Sequence, residues 1–237
     1  MMRSSSTGPC ITYGQTNLAE GSLTSTLARI ASMPVFVMSL IPAFELGLWN
    51  AWIFMLYVIL SNVLPYALSG WLIDKEVMKR ITATDMSLNE TEKKISNIIS
   101  FLFYALVAYS IFLPLRLGTV WFFAGFLIYL LGAIIMTIAM LDFFTTAVDK
   151  PVTKRVYSFS RNPMYFGMFF IFGGTGIACA SWVFLLLTAV FMSLSHIAVV
   201  SEERSCLQKY GNAYREYMNS IPRWIGIPKS RKSLHNP

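Results

Sequence analysis

Long apolar runs, separated by two charged stretches, set the pattern of this chain. A bilayer core about 30 Å thick requires roughly 20 apolar residues per spanning helix. The run from Met164 to Val200 is too long for one span and fits two helices of about 18 residues each, joined near residues 179–181. Four other apolar segments precede it: residues 33–49, 51–73, 95–115 and 119–143. The pattern predicts an all-α integral membrane protein with about six transmembrane helices, the last two forming a tight hairpin.

The first arm of that hairpin is rich in glycine, with Gly167, Gly173, Gly174 and Gly176 spaced along it. Small residues let the backbones of two membrane helices approach closely. We therefore expect these glycines to pack against the second arm.

Polar segments frame the apolar region at both ends. Residues 1–30 are rich in Ser, Thr and Gly and predict a polar leader, followed by a single transmembrane domain over 31–237. Between Glu202 and Ile221 the apolar and aromatic residues recur at steps of three and four, which predicts an amphipathic C-terminal helix on the membrane surface or against the loops. Its apolar face contains Leu207, Tyr210, Tyr214, Tyr217 and Ile221.

The basic residues predict the orientation of the helices. Of the 19 Lys and Arg residues, all but Arg116 fall in the leader, the two long loops and the tail. Six spans place these segments on one side of the membrane, and the positive-inside rule assigns that side to the cytoplasm. We expect a multi-pass protein with both termini cytoplasmic.

Composition narrows the classes of function. Charged residues make up only 13% of the chain, against about 25% in soluble domains. The three cysteines are widely spaced and only two histidines are present, so we predict no disulfide framework and no metal site. The net charge of +7 is explained by topology, and we predict no nucleic-acid partner.

The hairpin brings chemically capable residues together on the cytoplasmic side. The two arms of the hairpin are of similar length, so the chain returns at its end to the membrane depth at which it started. Glu202 and Glu203 are therefore expected to lie at the same depth as Arg161, Asn162 and Tyr165. A guanidinium can bind a carboxylate, and carboxylates accept hydrogen bonds from ammonium or hydroxyl groups.

Two ordered motifs carry a family resemblance. The sequence R-N-P-M-Y-F-G begins at Arg161, and S-E-E-R-x-x-L-x-x-Y-G-x-x-Y-x-x-Y-x-x-x-I-P-R runs from Ser201 to Arg223. Together they resemble the superfamily of isoprenylcysteine carboxyl methyltransferases and phospholipid methyltransferases. The resemblance extends from Gly125 to Arg223 and implies a catalytic half over residues 119–225.

The resemblance implies a methyltransferase that uses S-adenosyl-L-methionine, with Arg161 and Glu203 as the catalytic pair. The cofactor pocket it implies contains Tyr157, Arg161, Asn162, Tyr165, Glu202, Glu203 and Tyr214. Two positions depart from the family pattern. Asn162 stands where many members have His, and Arg155 stands where a Gly often precedes the loop tyrosine.

The acceptor implied is a lipid-like or apolar molecule that enters from the bilayer and carries a carboxylate, an amine or a thiol. If a proton must be removed, a Glu of the pair or His196 is the candidate base. Glu45, inside a predicted span, is expected to be functional because an ionisable group is costly there.

The sequence leaves two alternatives to a methyltransferase. One is an NADPH-dependent reductase resembling the steroid 5-alpha-reductase group, in which Asn and Glu stand where this chain has Met164 and Met168. The other is a non-catalytic membrane protein or transporter. The lack of charged residues deep in the later spans argues against a transport path.

Overall fold

Residues 46–67 and 89–226 are described in this computed structural model. The predicted leader, nearly all of the first predicted span with Glu45, residues 68–88 and residues 227–237 lie outside the described part. Within it the chain forms α-helices, one short 3-10 turn at Arg155–Ser158, and no β-strand. The helices are α1 (Trp52–Ala67), α2 (Glu90–Ser110), α3 (Val120–Thr145), α4 (Pro163–Ala178), α5 (Trp182–Tyr210) and α6 (Asn212–Ser220).

Two of these helices, α3 and α5, are long and apolar enough to cross a membrane, while the apolar stretches of α1 and α4 are shorter. Only 28% of the apolar window of each long helix is buried inside the protein. A core helix of a soluble protein would be mostly buried, so these outward apolar faces fit contact with lipid. The remaining spans of the predicted six stay predictions.

The long apolar run divides where the sequence predicts. Helix α4 ends at Ala178 and α5 begins at Trp182. The Ser181 hydroxyl accepts a hydrogen bond from the backbone N–H of Phe184 at 3.3 Å, which caps the start of α5. Ala180 has a φ of 53° and turns the chain between the two helices.

Helix α2 differs from the predicted segment 95–115, since it begins at Glu90 and ends at Ser110. The Glu92 carboxylate accepts from the backbone N–H of Asn89 at 2.9 Å and stabilises this early start. Arg204 on α5 donates to the same carboxylate at 2.7 Å. That pairing lowers the pKa of Glu92 from its ordinary value, first through the hydrogen bond from Arg204.

The chain after Val200 also departs from the prediction of a separate helix from Glu202 to Ile221. Helix α5 continues without a break to Tyr210. The break comes at Gly211, whose φ of 56° is readily adopted by glycine, and α6 follows. The five predicted face residues nevertheless form one apolar cluster, in which Tyr214, Tyr217 and Ile221 are buried and Leu207 and Tyr210 lie at the margin.

The prediction for the glycines was wrong about the partner helix. A Cβ atom on Gly174 would lie 2.5 Å from the backbone nitrogen of Tyr129, and one on Gly132 would lie 2.7 Å from the carbonyl of Gly167. Tyr129 and Gly132 belong to α3. The close backbone contact therefore joins α4 to α3, not to α5.

The other two predicted glycines behave differently. A Cβ on Gly176 would lie 2.7 Å from the side chain of Leu185, so this glycine does face α5. Gly173 has nothing within 4 Å of an added Cβ. Only one of the four glycines thus serves the hairpin contact in the predicted way.

Helix α1 is attached to α3 by hydrogen bonds between side chains and backbone. The Tyr129 hydroxyl donates to the carbonyl of Phe54 at 2.9 Å. The hydroxyl groups of Tyr57 and Thr137 lie 2.8 Å apart. These contacts place the middle of α1 beside α3, where it contributes to the cavity described next.

Candidate active site

A cavity of about 720 Å³ lies at the end of the helices where α3 finishes, α4 starts and α5 extends toward α6. All seven residues that the sequence assigned to the cofactor pocket line it: Tyr157, Arg161, Asn162, Tyr165, Glu202, Glu203 and Tyr214. They come from the loop after α3, the start of α4, the end of α5 and α6. Two stretches about forty residues apart thus meet at one site.

The loop between α3 and α4 is anchored by an ion pair at its base. Arg155 Nη1 lies 3.3 Å from Asp142 Oδ1, and the Asp142 side chain is only 3% exposed. Arg155 has a φ of 45°, a left-handed conformation that is uncommon outside glycine. The resemblance drawn from the sequence leads to an expectation of Gly at this position, and the arginine adopts the conformation that a glycine would favour.

Helix α4 starts in a way that points its first turn at α5. Pro163 occupies the first helical position, where its missing N–H is not needed. Within this first turn, the Tyr165 hydroxyl donates to Glu202 Oε1 at 2.6 Å. This tyrosine and Glu202 also line a second cavity of about 210 Å³ beside α2.

Glu203 is the centre of the polar network. Its carboxylate is buried and accepts from Asn162 Nδ2 at 3.1 Å on Oε1. On Oε2 it accepts from Arg223 Nε at 3.1 Å and Nη2 at 2.8 Å. Arg161 Nε lies 3.4 Å from Oε1, an ion pair without hydrogen-bond alignment.

Arg161 carries the unusual feature of the site. Its side chain is only 9% exposed, and its Nε and Nη1 atoms are buried with no hydrogen-bond partner. Buried charged donors without partners are costly, and most such groups in proteins are satisfied. Because Arg161 lines the cavity, its guanidinium, whose donors are not all satisfied within the protein, is suited to an anionic group of a ligand.

The segment after α6 returns across the loop and closes one side of the site. The carbonyl of Pro222 accepts from the Arg161 backbone N–H at 3.1 Å. The carbonyl of Arg223 accepts from Ser160 Oγ at 3.2 Å and from Asn162 Nδ2 at 3.3 Å. The loop and the C-terminal segment are therefore fixed to each other by backbone groups.

Helix α6 adds a further attachment through its tyrosines. The Tyr217 hydroxyl donates to the carbonyl of Tyr157 at 2.7 Å. Burial raises the pKa of Tyr217 and of Tyr214 well above the ordinary value of tyrosine. Tyr217 thus stays protonated and keeps this hydrogen bond across the ordinary pH range.

The rest of the cavity wall is mostly apolar. Methionine and phenylalanine side chains from α3, α4 and α5 form it: Met136, Met140, Phe143, Met164, Met168 and Phe191. Helix α1 contributes Ser61 and Asn62. The site therefore has a polar end around Arg161 and Glu203 and an apolar end among the helices.

One residue of the network was missed by sequence reasoning, and one expected candidate lies elsewhere. Arg223 ended the quoted motif without being given a role, although it makes the shortest contact to Glu203. His196 does not line the cavity. Its ring stacks on Trp224 with centroids 5.9 Å apart, and it is exposed. Among the described residues no group of three or more potential metal ligands is found.

Part of the chain is similar to a known family of proteins. Residues 115–213 match the family model described as phospholipid methyltransferase. This segment is similar to phospholipid methyltransferases. The resemblance inferred from the two motifs is confirmed. No curated protein matches the chain, and no solved structure does.

The phospholipid methyltransferase match covers six of the seven assigned residues and supports a methyltransferase with a lipid-type substrate. Tyr214, Arg223 and the whole of α1 lie outside it. The contribution of α1 to the cavity and the contact of Arg223 to Glu203 therefore involve residues outside the matched segment.

Proposed function

We propose that this protein transfers a methyl group from S-adenosyl-L-methionine to a lipid-like or apolar acceptor at the cytoplasmic face of a membrane. The observation that carries the proposal is the buried guanidinium of Arg161, a residue that lines the cavity and has two nitrogen atoms without a hydrogen-bond partner. They call for an anionic group, and the carboxylate of the cofactor is one.

The residues of the polar end fit the rest of the cofactor. Arg161 would hold its carboxylate through charge-assisted hydrogen bonds. Glu202 and Glu203 would accept from its ammonium and ribose hydroxyls. The rings of Tyr157, Tyr165 and Tyr214 offer faces to adenine and to a sulfonium. When bound, the cofactor supplies an electrophilic methyl group.

The protein's own part in such a reaction is alignment and exclusion of water. Methyl transfer is an in-line displacement, so holding two partners in line removes much of the barrier. The apolar wall of methionines and phenylalanines would hold the tail of the acceptor beside the polar end. The reactive group of the acceptor is a carboxylate, an amine or a thiol.

If the acceptor must lose a proton, Glu202 is the better placed of the two carboxylates. Glu203 is paired with Arg223 and Arg161, and protonation there would break that pairing. Glu202 accepts from a neutral tyrosine hydroxyl and lines the cavity.

A ligand titration tests the proposal directly. Purified full-length protein in detergent would be heated with S-adenosylhomocysteine and, separately, with NADPH. A ligand that binds the folded state raises apparent stability by roughly RT ln(1 + [L]/Kd). We expect stabilisation by S-adenosylhomocysteine alone. Stabilisation by NADPH alone would instead support the reductase, and no effect of either would refute cofactor binding at this site.

Replacing Arg161 tests the assignment of the carboxylate site. Arg161→Ala removes the unpartnered donors, while Glu203 keeps its contacts to Arg223 and Asn162, so the fold should survive. We expect a loss of S-adenosylhomocysteine affinity of about 10- to 100-fold, the size of one charge-assisted hydrogen bond. The matched control is Arg215→Ala, because Arg215 is exposed on α6. Unchanged affinity in Arg161→Ala would remove this residue from the site.

A further inference from the structure

Two guanidinium groups share a single buried carboxylate at the polar end of the cavity. Arg223 Nη2 lies 2.8 Å from Glu203 Oε2, and Arg161 Nε lies 3.4 Å from Oε1. Within this trio the formal charge is one unit positive. Arg223 is partly exposed and Arg161 is buried, so the excess positive charge favours an anionic group beside Arg161.

Arg223 and Arg161 do not contact Glu203 equally well, and the difference determines which of the two arginines can bind a ligand. Arg223 donates twice to Oε2, through Nε and Nη2. Asn162 donates to Oε1. Both oxygens of Glu203 are therefore occupied by donors other than Arg161, which is left with an unaligned contact.

An arginine and a carboxylate buried side by side tend to form two parallel hydrogen bonds. Arg161 Nε already lies 3.4 Å from Glu203 Oε1, so rotation of the side chains toward each other would produce such a pair. Such a pair would use two of the five N–H donors of Arg161 and turn its guanidinium toward Glu203 and away from a ligand. The hold of Arg223 on Oε2 opposes that rotation.

We propose that Arg223 is a positioning residue, which retains Glu203 so that Arg161 stays free to bind the carboxylate of the cofactor. This inference rests on the proposed function and deepens it. The backbone of Arg223 is itself fixed, since its carbonyl accepts from Ser160 and Asn162. Both the backbone of Arg223 and its guanidinium are thus held by hydrogen bonds.

The test compares two ligands that differ only in the group concerned. S-adenosylhomocysteine carries the carboxylate, and its decarboxylated counterpart keeps the adenosine and the ammonium. Full-length protein in detergent would be titrated with each. For Arg223→Gln we expect at least a tenfold loss of affinity for the first ligand and less than about a threefold change for the second.

Two further variants separate positioning from simple structural damage. Arg223→Lys keeps a positive charge beside Glu203 but not the paired donors of a guanidinium, so its loss of affinity for S-adenosylhomocysteine should be clearly smaller than that of Arg223→Gln. Arg215→Gln makes the same change of charge at an exposed position of α6 and should alter neither affinity. In an Arg161→Ala background, Arg223→Gln should add no further loss.

The outcomes are distinct. An equal loss of both ligands in Arg223→Gln, or no loss of either, overturns the positioning role. A loss in Arg223→Lys as large as in Arg223→Gln also overturns it, and this remains measurable if the glutamine variant does not fold. If the natural protein binds neither adenosyl ligand, the proposed function itself fails.

Discussion

Arg155 holds a left-handed backbone conformation, with a φ of 45°, at the start of the 3-10 turn that leads into the site. A residue with a Cβ atom is strained there, and glycine is not. The compensation in this chain is the ion pair between the Arg155 guanidinium and the buried carboxylate of Asp142. The backbone of Arg155 is thus strained, while its side chain attaches the loop to α3.

Replacing Arg155 by glycine and by alanine separates these two effects. Both variants lose the ion pair, but only alanine keeps the strain. We therefore expect Arg155→Gly to be more stable than Arg155→Ala by about 1 kcal/mol. Thermal unfolding in detergent measures the difference.

The neighbouring Lys154 provides the control, because its φ is −92° and its side chain is exposed. There alanine should be at least as stable as glycine. If Arg155→Ala is also as stable as Arg155→Gly, or more stable, then the turn is not strained at this position.

The sequence predicted the members of the site better than their connections. Arg161, Asn162 and the two glutamates could be found because a hairpin of known span brings its two ends together. Arg223 could not, since its contact to Glu203 depends on the return of the chain after α6, and no spacing rule fixes that path. The unpartnered N–H groups of Arg161 also follow from side-chain geometry alone.

Helices α3 and α4 pack by direct backbone contact through glycine. A Cβ on Gly174 would lie 2.5 Å from the nitrogen of Tyr129 and 2.6 Å from the carbonyl of Gly125. Neither is the flexible end of a side chain, so the helices themselves would have to separate. Because both helices line the cavity, their spacing also sets its width.

Gly174→Ala should therefore destabilise the protein by about 1–3 kcal/mol, the usual cost of overfilling a packed contact. Gly173→Ala is the matched variant, since an added Cβ there meets nothing within 4 Å. That change should be neutral or stabilising, because alanine is the better helix former by up to about 1 kcal/mol. Unfolding temperatures compared in one detergent give the result, and equal effects of the two substitutions would contradict the observed packing.

The apolar runs of the sequence predicted where the helices lie. The predicted bounds are accurate where a run begins and ends at turn residues. The sequence placed α3 and the division near residues 179–181 well for this reason. It missed the start of α2, because the charged residues 90–94 hide a helix that Glu92 caps. It also separated the C-terminal helix from α5 at the end of the apolar run, although a helix continues into polar sequence until Gly211 stops it. Which helix the glycines face depends on three-dimensional packing, which a single sequence does not specify.

The two ends of the described structure differ in chemistry. The cavity with its buried charges lies at the C-terminal end of α3, together with the loop that contains Lys154 and Arg155. Before α3 lies the short connection around Leu117 and Gly118. Helix α3 has 26 residues, which corresponds to about 39 Å and is enough to separate these ends across a bilayer core of about 30 Å. The positive-inside rule then predicts that the cavity opens at the cytoplasmic side.

Single cysteines at the two ends of α3 test this orientation. Cys10, Cys179 and Cys206 would first be replaced, and the cysteine-free protein should take up no membrane-impermeant maleimide. Lys154→Cys and Leu117→Cys would then be introduced separately, because both positions are exposed. Vesicles that present the cytoplasmic face should label only the first, and vesicles of opposite orientation only the second. Labelling of both cysteines from one side would mean that α3 does not span the membrane. The reverse pattern would place the cavity on the opposite side of the membrane. The proposed cofactor would then have to be supplied from outside the cytoplasm.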